Sequence, residues 1–185
     1  MDTREQIMAA SRKMVQARGY NALSFRDIAS SVGVKSASVH YHFPTKGDLG
    51  AELARRYTAD GVAYLDGLLA SGADWRAILR QYTGIFRAAL VDGNRMCLCG
   101  IMSAENEDLP PEVRREVDAF TEANLAWLAR LLEARRPGTD AAAARQRAMA
   151  IFAAVEGAQL VARGRGSPAV FDAILDGYEQ AGLFS

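Results

Sequence analysis

Residues 24–49 read S-F-R-D-I-A-S-S-V-G-V-K-S-A-S-V-H-Y-H-F-P-T-K-G-D-L. Ser24 is a favoured helix N-cap, and Asp27 three residues on approximates a capping box. Phe25, Ile28, Ala29 and Val32 then fall on one face of a short helix. Gly33 supplies a left-handed turn residue at little steric cost. Val34 restarts the apolar pattern, which Val39 and Phe43 continue at helical spacing. Between them lies a face of small or hydrogen-bonding residues: Lys35, Ser36, Ala37, Ser38 and Tyr41. Pro44 closes this second helix, because its ring disfavours helical geometry at the residue before it. Thr45 caps a third helix with Lys46 in its first turn. A lysine there opposes the helix dipole, so the position calls for another role, such as meeting an anion at the helix start. Two short helices, a tight turn and a third capped helix make a helix-turn-helix, whose second helix suits a DNA major groove.

This run resembles the DNA-binding domain of the TetR family of bacterial one-component repressors. The residues that carry the resemblance are Arg26-Asp27-Ile28-Ala29, Gly33-Val34, Tyr41-His42-Phe43, Lys46 and Leu49, and it is specific over residues 4–50. Ala37 is small enough to let the backbone come close to DNA; the resemblance implies that Lys35, Ser36 and Ser38 face bases, and that Tyr41, His42 and Lys46 face phosphates. Ser24 and Arg26 support them from the preceding helix. Ala37 stands where many relatives have glycine and His40 where many have tyrosine. The plain alternative for His40 and for His42 is local packing or capping.

Charge is distributed to match. The chain of 185 residues carries 22 Lys or Arg and 22 Asp or Glu, a formal net charge of zero. Residues 1–56 hold nine basic against five acidic residues, and the remainder thirteen against seventeen. A basic head on an acidic body suits nucleic-acid binding by the head alone. No stretch approaches the roughly 18 apolar residues of a membrane span. The opening M-D-T-R-E-Q has no apolar signal core, so a cytoplasmic protein is expected.

Before the quoted run, Thr3 and Gln6 suggest a capping box for a first helix with Ile7, Ala10, Met14 and Val15 inward and Gly19 as its stop. Gly33, Gly61, Gly72, Gly93, Gly138 and Gly166 also read as helix ends. The helix from Thr45 carries Leu49, Leu53, Tyr57, Tyr64 and Leu68, long enough to leave the head and enter the body as a lever. Asp74 opens a helix with Trp75, Ile78, Leu79, Tyr82, Ile85, Phe86 and Leu90. A segment from Met96 to Ala104 follows, then acidic Glu105-Asn106-Glu107-Asp108, which reads as a solvated loop. Residues 112–135 form a long helix with Val113, Val117, Phe120, Leu125, Leu128 and Leu132. Asp140 opens the next, and Ser167-Pro168 caps the last. The expected fold is all-α: a helix-turn-helix domain over residues 1–48 and a helical effector-binding and dimerisation domain over residues 49–185.

Small residues at Ala153, Ala154, Gly157, Ala158 and Ala162 permit close approach of a second helix. With the final helix they would build a four-helix bundle across a two-fold axis, the dimer that the resemblance also implies. Met96-Cys97-Leu98-Cys99 holds the only two cysteines. Residues two apart on a helix point about 200° around its axis, which disfavours a disulfide or a shared metal. Buried reduced thiols are the plain reading. A redox or electrophile sensor at Cys97 or Cys99 is the alternative, with Cys97 preferred because Arg95-x-Cys97-Leu98 resembles a stretch of some TetR relatives.

No Gly-rich phosphate loop, nucleophile elbow or metal-ligand cluster is present in the sequence, so no enzyme, cofactor or metal is expected. The favoured function is a homodimeric repressor that binds a palindromic DNA operator and is released by a small apolar or electrophilic effector. Pocket candidates are Tyr82, Phe86, Cys99, Met102, Phe120, Leu128, Phe152 and Gln159. A DNA binder without a ligand is the more distant alternative.

Overall fold

The computed structural model describes residues 2–184. Among them every regular element is helical. The helices are α1 (Thr3–Arg18), α2 (Phe25–Val32), α3 (Ser36–His42), α4 (Lys46–Ala70), α5 (Trp75–Val91), α6 (Leu98–Ser103), α7 (Pro111–Arg135), α8 (Ala141–Arg165) and α9 (Pro168–Gln180), with a 3-10 turn over Asn106–Asp108. No helix of the described residues is long and apolar enough to cross a membrane.

Most boundaries follow local chemistry. Asp74 accepts the Ala77 N–H at 3.2 Å to open α5, and Asp140 accepts the Ala143 N–H at 2.9 Å to open α8. Three expectations are corrected. Asp2, not Thr3, is the N-cap of α1 and makes no side-chain cap bond; Thr3 is already helical, and the Gln6 N–H donates to the Asp2 carbonyl at 3.1 Å. Gly61 lies inside α4, because the apolar positions at Leu65 and Leu68 hold the next turns in the core. The segment expected over Met96 to Ala104 is helical only over Leu98–Ser103, with Cys97 extended as its N-cap. Ser167 is the N-cap of α9, as expected, with Pro168 in the first turn setting the helical φ; the Ser167 side chain makes no cap bond.

The chain divides into two compact units. The first comprises Met1–Thr58 and Cys97–Phe120. Its core joins Ile7 and Val15 of α1, Ile28 of α2, Val39 of α3 and Leu49 of α4 to Leu98, Met102 and Val113, all fully buried. Gly50 of α4 is needed there, since a Cβ would run into the Tyr20 ring and Val113. Ion pairs fasten its rim: Arg4 to Glu52 at 2.8 Å, Arg56 to Glu5 at 2.7 Å and Arg55 to Glu116 at 2.9 Å. Solvent screens such exposed pairs and keeps each one weak, so the apolar core outweighs them.

The second unit comprises Ala59–Met96 and Thr121–Ser185. Trp127 is its largest buried side chain. Its ring stacks on Tyr82, with centroids 5.3 Å apart, and Tyr82 meets Phe86 edge-on. Two buried polar groups are satisfied inside this core, as low-dielectric surroundings demand. The Tyr82 hydroxyl donates to Asn124 at 3.3 Å, and the Gln159 amide donates to the Phe86 carbonyl at 2.7 Å. Helices α8 and α9 pack against each other, and α5 packs on both.

Candidate nucleic-acid interface

The turn that aims α3 is built from three local bonds. Ser24 Oγ accepts the Asp27 N–H at 3.4 Å and starts α2. Gly33 takes φ of +78°, in the left-handed region, and its N–H returns to the Ala29 carbonyl at 2.9 Å. The Val34 N–H reaches that same carbonyl at 3.0 Å, and Lys35 becomes the N-cap of α3. Val39 and the following Phe43 then anchor the seven-residue helix in the core.

That anchoring fixes what faces outward. Lys35, Ser36, Ala37 and Tyr41 are exposed on α3 and its cap, with Ser38 and His42 half-buried beside them. Tyr41 is 84% exposed, an unusual position for a large ring, and meets His42 edge-on at 5.2 Å. Arg26 is exposed on α2 and Ser24 half-buried. His40 is held locally: its ring meets Phe25 edge-on at 4.7 Å, and Nδ1 lies 3.4 Å from the Pro44 carbonyl.

Lys46 has a partner that its sequence position does not reveal. Thr45 and Asp48 exchange cap bonds, each backbone N–H donating to the other's side chain at 3.0 Å. This sets the first turn of α4 so that Lys46 Nζ donates to the Asn21 carbonyl at 3.1 Å. The ammonium also lies 4.5 Å from the centre of the Tyr20 ring. Desolvation lowers the pKa of Lys46, and the nearby Glu105 charge opposes that shift. Glu105 itself accepts the Tyr20 N–H at 2.5 Å, and Asp108 accepts the Asn21 side-chain amide at 2.8 Å. These acids clasp the turn between α1 and α2. The expectation of a solvated acidic loop is therefore corrected for Glu105, which is half-buried, whereas Asp108 stays exposed while it accepts the Asn21 amide. Nothing in a single sequence pairs residues about 85 positions apart.

The eight pocket candidates fall in two groups. Tyr82, Phe86, Leu128, Phe152 and Gln159 belong to the second unit, where Tyr82, Phe86 and Gln159 are joined by the bonds described above. Cys99, Met102 and Phe120 belong to the first, all buried. Cys97 is 1% exposed and Cys99 fully buried, so a reagent in solvent reaches neither without local opening. The Tyr57 hydroxyl donates to Cys97 Sγ at 3.7 Å. Among the described residues, no group of three or more His, Cys, Asp or Glu could hold a metal ion.

Comparison with known proteins bears on the whole chain. A family model described as bacterial regulatory proteins, tetR family, matches residues 7–53, the segment containing the turn and α3. A second, described as transcriptional regulator LmrA/YxaF-like, C-terminal domain, matches residues 73–176, more than half of the chain. The chain is 32% identical over 76 residues to the HTH-type transcriptional repressor KstR2 of Rhodococcus jostii (strain RHA1); the match spans 41% of this chain and only 37% of that relative. Among solved structures, a TetR transcriptional regulator from Legionella pneumophila is 30% identical with a TM-score of 0.91, covering 98% of this chain and 97% of its own. A TetR-family regulator from Agrobacterium tumefaciens is 33% identical with a TM-score of 0.84, covering 93% of each chain. The capped turn, the outward face of α3 and the helical body thus coincide with matches along most of the sequence, and the chain belongs to the TetR family of bacterial regulatory proteins.

Proposed function

We propose that the protein is a homodimeric, cytoplasmic transcriptional repressor that binds a palindromic operator and is released by a small effector. The observation that carries this reading is the outward strip of α3, where Lys35, Ser36, Ala37 and Tyr41 are exposed while Val39 and Phe43 hold the helix in the core. Ser36, Ala37 and Ser38 are small enough to let the backbone approach base edges, and Lys35, Tyr41, His42 and Lys46 supply the flanking phosphate contacts, with Ser24 and Arg26 on α2. Residues 1–48 act as the reading head and residues 49–185 as the effector and dimerisation body.

Dimerisation is supported by α8. Met149, Ala153, Gly157, Leu160 or the adjacent Val161, and Gly164 follow at steps of three or four residues and are all exposed, an apolar and small-residue stripe suited to a second copy. Two heads then meet half-sites about 34 Å apart, or a multiple of that spacing. The effector is small and largely apolar, in keeping with Tyr82, Phe86, Leu128 and Phe152. Lowering operator affinity 100-fold requires about 2.7 kcal/mol of differential binding between the two states.

Footprinting with the purified protein on the DNA upstream of its own gene tests the reading. A protected palindrome, lost in Lys35→Ala with Tyr41→Ala, is expected. Equal, sequence-independent binding by the wild type and that double variant would remove α3 as the reader.

A further inference from the structure

The end of α7 and the start of α8 line a cavity of about 470 Å³, open to solvent, in the second unit. Its charged lining is entirely basic: Arg135, Arg136 and Arg147 line it, with no acidic side chain. Two acids flank this stretch in sequence, and neither lines the cavity. Glu133 is exposed on α7, and the carboxylate of Asp140 accepts the Ala143 N–H at 2.9 Å. The apolar lining is formed by buried Leu132 and Ala144, with exposed Ala143 and Ala150.

The arginines crowd one another. Arg135 lies over the Trp75 ring, 3.9 Å from its centre. Its pKa is lowered first by desolvation and then by the charges of Arg136, Arg147 and Arg76. Arg147 is committed to structure, donating to the Gly182 and Leu183 carbonyls at 2.7 and 2.9 Å. Arg136 is exposed and makes no ion pair among the described residues. The first turn of α8 adds no free donor, because the Ala143 N–H is taken by the Asp140 carboxylate and the Ala144 N–H by the Asp140 carbonyl, both at 2.9 Å, so the arginines alone supply the positive charge. Like charges gathered beside an apolar lining are offset when an anionic group sits between them.

We propose that this cavity binds a small organic anion, its carboxylate or phosphate held by Arg135 and Arg136 and its short apolar body laid against Leu132 and Ala150. The volume suits such a ligand, since small-molecule pockets fall in the range of about 300–1,000 Å³. The lining includes no residue of α3 and none of the eight pocket candidates of the sequence reading, and binding is read on the protein without DNA, so it stands or fails separately from the operator.

Isothermal titration calorimetry with octyl phosphate, decanoate and uncharged octanol tests it, using the wild type and Arg136→Gln. At least one of the two anions binds tenfold or more tightly than octanol, and Arg136→Gln reduces that affinity about tenfold; which anion is preferred separates phosphate from carboxylate. Arg135→Gln with Arg136→Gln abolishes binding while circular dichroism stays unchanged. Octanol binding as tight as both anions, or anion binding unchanged in the double variant, overturns the proposal.

Discussion

Glu105 Oε2 accepts the backbone N–H of Tyr20 at 2.5 Å, and the same carboxylate lies 3.4 Å from the Asn21 N–H. A segment after α6 thereby holds the turn between α1 and α2, the turn on which Lys46 also rests. The position of α4's first turn is thus tied to Glu105 as well as to the local cap.

Glu105→Ala tests that tie. Tyr20 is only 2% exposed, so its N–H loses a charged acceptor with little water to replace it. A buried donor left unsatisfied costs about 1–3 kcal/mol. Urea denaturation should show a loss in that range, and Glu105→Gln, which keeps an acceptor oxygen, a smaller one. Equal stability of Glu105→Ala and wild type would leave the contact without energetic weight.

Lys46→Met separates two roles of one side chain. Methionine keeps the stem against Tyr20 and removes the charge, so a modest stability loss from the Asn21 bond is expected. If Lys46 also meets phosphate, operator binding weakens at all sequences and the salt slope falls by about 1. Ser36→Ala and Ser38→Ala should instead alter which base pairs are preferred, leaving the salt slope intact. Binding titrations over a salt series on a set of operator variants distinguish these outcomes; unchanged binding in all three variants would discard the assignment of α3.

The parts legible in the sequence are those whose causes are local. Ser24, Gly33, Thr45 and Asp140 act within a few residues of themselves, and each sets a helix end in the structure. The outward face of α3 follows because Val39 and Phe43 are its apolar residues. What stayed hidden depends on partners distant in the chain. Tyr82 reads as core from its spacing, but not as the donor to Asn124 or the ring stacked on Trp127. Trp127 lies off the row of Leu125, Leu128 and Leu132 used to find the inner face of α7, yet it is buried because that helix is covered around more than one face. Glu105 and Asp108 look like any acidic loop until Tyr20 and Asn21 are brought beside them.

Alkaline pH should expose a tyrosine linkage. The Tyr20 phenol is pushed up to about 12, first by burial and then by the Glu112 charge, and Tyr57 is raised well above the ordinary range by burial and by Cys97. Below pH about 10 both folded and unfolded chains keep these protons. Above it the unfolded chain releases them while the folded chain retains them, so stability falls as pH rises from about 10 towards 12. Denaturation at pH 9 and pH 11 should show this fall, and Tyr20→Phe should make it shallower. Among the described residues the Tyr20 hydroxyl has no hydrogen-bond partner, so that variant should cost little at pH 9. An identical pH dependence in wild type and Tyr20→Phe would mean that Tyr20 titrates as in the unfolded chain.

Leu160→Arg tests the dimer without disturbing the fold of one subunit. Leu160 is 62% exposed on α8, and its neighbours in the stripe, Met149 and Val161, are also open to solvent. An arginine there leaves packing within a single chain alone but places two like charges near a two-fold axis if α8 and α9 form the interface. Sedimentation velocity at micromolar protein should then show monomer in place of dimer. Operator affinity should fall as well, because a single head contacts only one half-site. Retention of the dimer with full operator affinity would move the interface away from this stripe, whereas a monomeric wild type would remove the two-fold reading itself.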